Sequence, residues 1–553
     1  MKKRGTILLY TVIITSFLLI MGLTLAQTIL IEQRLSAGFD NSQAAYFAAE
    51  TGIEYAMNEN SCLPNTRTVW LDGNVQKVGF SVREENGLFY SIGISNGVKR
   101  EISTPFVRII DLVLDSGGTV QINNLPAKYS CVNAAYSNLS EPSSQGENII
   151  KVSDISRFAI GDGIFLYQNI NSSGAGYSEV LDSTGGQFES TIKDIDYESK
   201  TITLSGSLNR NFPGNDRTQV ISIKKLRSVK ITNNTTLTAP GYNGKFGGIL
   251  RLNSGNSLNI DSGSKIDMTA KGYRGNEGPG GGMKGTVPYI AAYTDYGGGS
   301  GAGYANRGGN AANTCLAYGG NTYGSSTGPM YMGSGGGLGD GMLNTYGYGG
   351  GLIILNAKEM FLNGVISSDG GGGGGPNNLL ANGYSVDNSY AGLGGGSGGG
   401  IEIISPEIDF SGFISSAGGG GSAGKPTDTS ATGFDNGLGF PGKLGIGGKG
   451  GDWYGAIGGA GGDLGSQAGV GGASPGQGSV GEPGGVSAGG GGTPLEGGSG
   501  GSPCFTGGGG GSAGRILIKV FNFNNFYHAF GHVDAPNASG KIGPYAYFLG
   551  LYY

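Results

Sequence analysis

The chain has 553 residues, a formal net charge of −5 and 116 glycines. Glycine is about three times more frequent than in ordinary proteins, and 92 of the 116 lie between residues 241 and 520. Two compositional regimes therefore share the chain, and collagen is excluded because the glycines form runs without a G-X-Y period. The lack of a basic block after residues 2–4 and the presence of only two histidines argue against nucleic-acid partners, metal sites and acid–base catalysis. We expect no cofactor and no enzymatic activity.

The N-terminus combines a basic end with a long apolar segment. Positions 2–4 are basic, and the run from Gly5 to Ile31 carries no charge. At about 1.5 Å per residue, this run can cross a bilayer core of about 30 Å as a helix, with the basic end cytoplasmic and the body outside. Three interpretations compete: a secretory signal cut after Ala26, a plain membrane anchor, and a prepilin leader cut between Gly5 and Thr6.

Residues 32–57 continue at helical spacing with a face of small residues, which favours the prepilin interpretation. The first 58 residues, from RGTILLY to SAGFDNSQAAYFAAETGIEYA, resemble the N-terminal region of PilX-type minor pilins. The resemblance implies membrane insertion, cleavage after Gly5 by a prepilin peptidase, N-methylation of Thr6 and packing with other pilin subunits. Major pilins carry Glu at the fifth mature position, where this chain has Tyr10. The resemblance therefore points to a tip-located or non-polymerising subunit.

The next two segments read as β-structure. Residues 59–107 alternate apolar and polar positions with turn signals such as Asn96-Gly97, which predicts a small antiparallel meander. Residues 108–246 have ordinary glycine content and predict a β-rich domain. Asp162, Asp194 and Asp196 lie near predicted strand ends. They could bind calcium or form turns, and we favour turns because no dense D-x-D-x-D run is present.

A degenerate repeat runs through the glycine-rich part. Similar segments start at residues 247, 350, 399 and 514, each with glycines, an alternating strand and a short apolar link. This pattern predicts stacked coils of a β-solenoid. The residues expected to point inward or to pair with neighbouring coils are Ile353, Leu355, Phe361, Leu362, Val365 and Ile366, with their equivalents Ile401, Ile403, Ile408, Phe410, Phe413 and Ile414.

Long glycine-rich excursions separate these coils, with runs at 370–375, 394–400 and 507–511. They could be flexible linkers, or extended polyglycine segments packed through backbone hydrogen bonds, and interleaved tyrosines such as Tyr304 and Tyr323 favour packing. Residues 225–540 also resemble the glycine-rich surface proteins of gliding and surface-attached bacteria. That resemblance implies an extracellular structural or adhesive part.

The four cysteines, Cys62, Cys131, Cys315 and Cys504, have no CxxC spacing. Outside the membrane they could pair in three ways or remain reduced. Cys315 with Cys504 is the first choice for a disulfide, because both lie in the glycine-rich part.

Two motifs are set aside. Residues 437–444, GLGFPGKL, approach a phosphate loop, but Leu444 replaces the hydroxyl that would hold magnesium. His528 and His532 are four residues apart, but their β-like, glycine-interrupted segment predicts ordinary loop or core histidines.

The predicted fold is mainly β with one long N-terminal α-helix. Its parts are a leader (1–5), a pilin-like transmembrane helix (6–58), a small β-meander (59–107), a β-rich domain (108–246) and a glycine-rich β-solenoid with inserted loops (247–553). The predicted function is a minor, tip-located type IV pilin-like protein at the cell surface, where its body mediates adhesion to a glycan or surface. The alternatives are a membrane-anchored envelope or matrix protein outside any pilus, and a polysaccharide-acting solenoid enzyme.

Overall fold

The computed structural model is mainly β with one long N-terminal helix, which confirms the predicted fold class. It divides into two compact units, Met1–Phe106 and Val107–Tyr553. The residues it describes are 3–59, 62, 66–72, 77–85, 88–105, 109–169, 186–284, 299–310, 317–324, 328–338, 347–373, 393–421, 452–453, 456–457, 509–520, 532–533 and 546–548.

The first unit is a helix packed on an antiparallel meander. Helix α1 spans Lys3–Asn58, and the sheet has the order β1 (Arg67–Trp70), β2 (Val78–Glu85), β3 (Leu88–Ser95), β4 (Val98–Pro105). Asn96 and Gly97 join β3 to β4 with φ of 45° and 85°, the left-handed conformation that a tight hairpin turn requires. The predicted meander and this turn are confirmed.

The second unit contains all the remaining strands. They are β5 (Ile110–Leu114), β6 (Thr119–Gln121), β7 (Tyr136–Asn138), β8 (Ile149–Lys151), β9 (Gly163–Gln168), β10 (Gln187–Asp196), β11 (Thr201–Leu204), β12 (Thr218–Ile223), β13 (Lys225–Ile231), β14 (Thr236–Thr238), β15 (Ile249–Ser254), β16 (Ser257–Ile260), β17 (Lys265–Asp267), β18 (Leu352–Asn356), β19 (Glu359–Leu362), β20 (Val365–Ser367), β21 (Gly400–Ser405), β22 (Glu407–Phe410), β23 (Phe413–Ser415), β24 (Asp452–Trp453), β25 (Ala456–Ile457), β26 (Arg515–Val520), β27 (His532–Val533) and β28 (Ala546–Phe548).

Most of these strands form a parallel stack with three faces. The first face has the order β15-β18-β21-β26-β28, the second β5-β13-β16-β19-β22, and the third β6-β14-β17-β20-β23-β27. Strand β13 turns the corner, because Leu226 pairs with β15 whereas Val229 pairs with β16. Successive coils therefore lie directly on one another, as the repeat predicts.

The core of the stack is a continuous apolar column. Ile353 pairs with Leu250 on one side and Ile401 on the other, and Ile401 pairs in turn with Ile516. All four side chains are buried. One coil alone could not bury this stripe, so stacking stabilises each coil through its neighbours.

The stack begins earlier than the sequence predicts. Strands β5 and β6 pair with β13 and β14, so the predicted boundary at residue 247 does not mark the first coil. Between these coils the chain forms a six-stranded sheet of order β7-β12-β9-β10-β11-β8, antiparallel throughout. No glycine run precedes β5 or β13, so the repeat pattern does not reveal these early coils.

The described glycine excursions form an ordered bundle in which each segment bonds to several others. Along residues 394–399, successive backbone N–H groups donate to three neighbouring segments in rotation, so that every third residue returns to the same neighbour. The donor–acceptor pairs are Gly394–Gly337 (2.9 Å), Gly395–Gly509 (2.9 Å), Gly396–Gly371 (2.9 Å), Ser397–Ser334 (3.0 Å), Gly398–Ser512 (2.9 Å) and Gly399–Ser368 (2.8 Å). This period of three matches an extended helix with three residues per turn and no internal hydrogen bonds.

Carbonyl groups of the same segment accept from three further segments. The donors are Ala302 to Gly395 (2.9 Å), Gly419 to Gly396 (2.8 Å) and Gly350 to Ser397 (2.8 Å). Six neighbours therefore surround one segment, and they approach so closely that a Cβ at Gly395 would collide with the Gly419 carbonyl. The prediction of packed polyglycine segments is confirmed for the described residues.

Candidate interaction surfaces

The C-terminal half of α1 has one face of small residues against the sheet. Ala45, Ala48, Ala49 and Ala56 are buried, and a Cβ at Gly93 of β3 would collide with the Ala45 carbonyl. Small side chains let the helix backbone approach the strands closely.

The N-terminal part of α1 has no such cover. Its large apolar side chains between Val12 and Phe39 are 47–68 % exposed. The helix contains a segment apolar and long enough to cross a membrane, and none of that segment is buried inside the protein. A membrane anchor and a signal sequence both meet this criterion of length and composition.

The exposed apolar surface of α1 continues beyond a membrane's thickness. A bilayer core is crossed by about 20 helical residues, whereas α1 reaches Asn58. On its outer face, Phe39, Tyr46, Phe47 and Met57 remain exposed, and the rings of Tyr46 and Phe47 lie 6.1 Å apart. Lipid can cover the first part of the helix, whereas these distal side chains lie beyond the length that a bilayer core covers.

The predicted processing residues Gly5, Thr6 and Tyr10 all lie in the first turns of α1. Their side chains are outside the described part of the chain, so cleavage and the role of Tyr10 stay predictions. Cys315 and Cys504 also lie outside the described residues. Cys62 and Cys131 are each disulfide-bonded.

The aspartates considered as calcium ligands have structural roles. Asp196 accepts hydrogen bonds from the backbone N–H groups of Glu198 (2.9 Å) and Ser199 (3.2 Å), which is a turn. Asp162 accepts from Lys224 Nζ at 2.6 Å in a buried ion pair. Burial raises the pKa of Asp162, although Lys224 opposes this shift. Among the described residues, no group of His, Cys, Asp or Glu side chains is arranged to hold a metal ion.

The remaining motifs lie mostly beyond the described ranges. Residues 437–444 and His528 are outside them, and His532 is described only as the start of β27, paired with Phe413.

The second face of the stack exposes polar and charged side chains in two adjoining regions. Near its first strands, Arg227 pairs with Asp111 (2.5 Å) and Lys230 with Asp261 (3.5 Å). The Arg227 hydrogen bond holds the pKa of Asp111 below its usual range. Further along the face, β19 and β22 carry acidic residues on one side of an exposed aromatic side chain, Phe361.

The sequence predicts that Phe361 points inward or pairs with neighbouring coils, and the structure shows the second, with the side chain facing outward. Met360 and Leu362 are buried at 1 % exposure each, whereas Phe361 is 39 % exposed. Side chains alternate along a strand, so the two buried neighbours force Phe361 to the outer surface. The sequence E-M-F-L indicates this exposure, because if Met360 and Leu362 both point into the core, the residue between them must point outward.

No protein-family model and no curated protein sequence matches this chain. Three solved tailspikes show local structural similarity. The Pseudomonas phage phi297 tailspike gp61 has 15 % identity and a TM-score of 0.16, over 30 % of this chain and 27 % of the tailspike. The tailspike gp49 of Pseudomonas phage LKA1 has 10 % identity and a TM-score of 0.14, over 29 % and 35 %.

The third is the Gp54 tailspike of Acinetobacter baumannii bacteriophage AP22, solved in complex with A. baumannii capsular saccharide. It has 9 % identity and a TM-score of 0.16, over 56 % of this chain and 42 % of the tailspike. The chain thus matches less than half the length of each of these tailspikes. Structural similarity at these TM-scores does not indicate a function.

Proposed function

We propose that this protein is a minor, tip-located type IV pilin-like subunit that displays a rigid β body at the cell surface for adhesion. The proposal follows from the architecture of α1, whose distal half is packed on a small sheet while its apolar remainder stays exposed. The resemblance of the first 58 residues to PilX-type pilins supports the same assignment. The function is binding, without turnover of a substrate.

The strongest support for the proposal comes from the exposed apolar side chains on the outer face of α1. Phe39 and Phe47 are 63 % and 60 % exposed, and they lie beyond the segment that a bilayer would cover. Burying each such side chain would contribute about 1.5–3 kcal/mol. A bundle of other pilin helices would cover these side chains and the membrane-distal part of α1 together.

The size of the body favours a tip position. The second unit, Val107–Tyr553, is many times larger than the small sheet that α1 carries. Side by side along a helical filament, such bodies would crowd one another, whereas a tip presents one body without lateral neighbours. Cleavage by a prepilin peptidase after Gly5 would release the helix for assembly.

The test compares one double variant with a single-residue control variant, both in the full-length protein in its own cells. We expect F39S/F47S to be lost from sheared pili while the protein remains in the membrane fraction. The control Q43S changes a residue of the same exposed helix face and should leave pilus incorporation intact. Immunogold labelling of the wild-type body should mark filament ends.

A plain envelope anchor gives a different result. In that case the label would cover the cell surface, no filament end would be marked, and F39S/F47S would partition like the wild type. That outcome would overturn the pilus assignment and leave the membrane-anchored envelope protein as the function.

A further inference from the structure

The second face of the parallel stack carries a flat platform around one aromatic ring. Strands β16, β19 and β22 lie side by side, and Phe361 pairs with Asn259 on one neighbour and Asp409 on the other. We call these three residues the Phe361 platform. Among the described residues of the parallel sheets, no other large apolar side chain is exposed to the same extent. The buried apolar column beneath β19 holds the platform rigidly.

Polar groups flank the ring at regular spacing. Parallel strands lie about 4.8 Å apart, so the row Asn259–Phe361–Asp409 extends about 10 Å across the face. The side-chain carbonyl of Asn259 has no hydrogen-bond partner, which is costly for a covered acceptor. Glu359 and Glu407 pair in the adjacent row. Amide and carboxylate groups therefore stand on both sides of an exposed ring.

These features exclude most classes of partner at this face. An extended peptide cannot add here as a strand, because β19 already pairs on both sides with β16 and β22. A stable protein interface needs an apolar centre within about 800 Å² per partner, and one ring does not provide it. The carboxylates of Glu359, Glu407 and Asp409 repel nucleic acids and other polyanions.

A glycan without anionic groups is the class of ligand that remains after these exclusions. The electron-rich face of an aromatic ring attracts the weakly positive C–H groups of a sugar ring. Sugar hydroxyls can donate to the Asp409 carboxylate and can accept from the Asn259 amide. A flat platform about 10 Å wide suits a linear chain of sugars lying across the strands.

We infer that the Phe361 platform binds an uncharged or amine-bearing glycan chain, with one sugar ring stacked on Phe361. This inference rests on the proposed adhesive function and specifies the ligand of the displayed body. The three carboxylates beside the ring supply the selectivity, because they exclude uronic-acid polymers while accepting hydroxyl and ammonium groups.

The experiment uses the full-length protein in detergent and five probes: dextran, cellohexaose, chitosan oligomer, polygalacturonate and alginate. We expect binding to at least one of the first three, and none to the last two. F361A should weaken that binding about tenfold, the loss of one aromatic stacking contact, and F361Y should retain it. F413A is the matched control, since Phe413 occupies an outer position on the third face.

A second variant tests the selectivity. The triple change E359Q/E407Q/D409N should allow polygalacturonate to bind, because it removes the repulsion without changing side-chain size. Thermal unfolding of each variant verifies that the fold is retained.

Three results would overturn the inference: no binding to any uncharged or amine-bearing probe, equal loss with F361A and F413A, or wild-type binding to polygalacturonate alone. The pilus proposal fails separately. If F361A cells assemble the protein into pili but lose glycan binding, both proposals stand. If F39S/F47S has no effect on location while F361A abolishes binding, only the pilus assignment falls.

Discussion

The second unit contains two regions, the parallel stack and the polyglycine bundle, whose neighbouring segments are held together by opposite kinds of interaction. The parallel stack buries a column of isoleucine and leucine side chains, while the polyglycine bundle removes side chains and joins its segments through backbone hydrogen bonds. An apolar core adapts to small changes of shape at a graded cost. A bundle whose backbones touch has no space for even one methyl group. The two regions should therefore respond very differently to mutation.

The largest effect is expected inside the bundle. A Cβ at Gly301 would collide with the Gly510 carbonyl, and G301A must separate segments that share hydrogen bonds. We expect a loss of about 4 kcal/mol or more in the free energy of unfolding, beyond ordinary overpacking. Chemical denaturation measures it. The control G118A meets no atom within 4 Å and should be near neutral; similar losses for both variants would contradict the packed bundle.

Substitutions in the parallel stack should give graded costs. Ile403 is fully buried and pairs with Leu355 and Ile518. I403V should cost about 1 kcal/mol, and I403A about 3 kcal/mol, because the cavity grows with the volume removed. Unfolding curves of the two variants verify the order. A loss for I403V as large as that for G301A would erase the distinction between the two regions.

Tyrosine hydroxyls join segments of the bundle to one another. Tyr323 donates to the Met332 carbonyl at 2.6 Å and accepts from Ser334 Oγ at 3.1 Å. Burial raises the pKa of Tyr304, its stacked neighbour, so that hydroxyl stays protonated. Y323F should cost about 1–2 kcal/mol by leaving these groups unpaired. The control Y318F changes an exposed ring; an equal effect for both would show that the hydroxyl contributes nothing.

The smallest expected effect is a pH dependence of stability. It comes from Asp267, which lies where the third face passes into the bundle. Burial raises the pKa of Asp267, but hydrogen bonds from Lys265 (2.9 Å) and the Thr269 N–H (3.0 Å) outweigh it and lower the pKa overall. A lowered pKa in the folded state stabilises the protein above about pH 4 and loses that contribution as pH falls. The contribution of Asp267 to the free energy of unfolding should stay below about 1 kcal/mol. The wild type should lose more stability than D267N between pH 6 and pH 3, and identical slopes would contradict this.

The sequence was sufficient for the features that repeat or alternate. The register of Leu250, Ile353, Ile401 and Ile516 follows from aligning four segments by their glycines and strands. The period of the small residues predicts the buried face of α1. Glycine composition alone suits flexible linkers and close packing equally well, so it does not determine how the glycine runs pack.

Features that depend on contacts between distant segments could not be predicted. Strand β5 joins β13 across the whole antiparallel insertion, and no shared pattern links their sequences. The hydrogen bonds of Tyr323 depend on where residues 332–334 run in the bundle. The exposure of Phe361 depends on strand phase, which one shifted residue inverts.

The mature N-terminus distinguishes processing by the pilin pathway from a simple anchor or a released protein. Intact mass and N-terminal sequencing of the protein purified from its own cells would locate the cleavage site. We expect a chain that starts at Thr6, with or without a methyl group on its amine. A chain that retains Met1 would be a simple anchor, and one that starts at Gln27 would be a released protein; either result would contradict assembly through the pilin pathway.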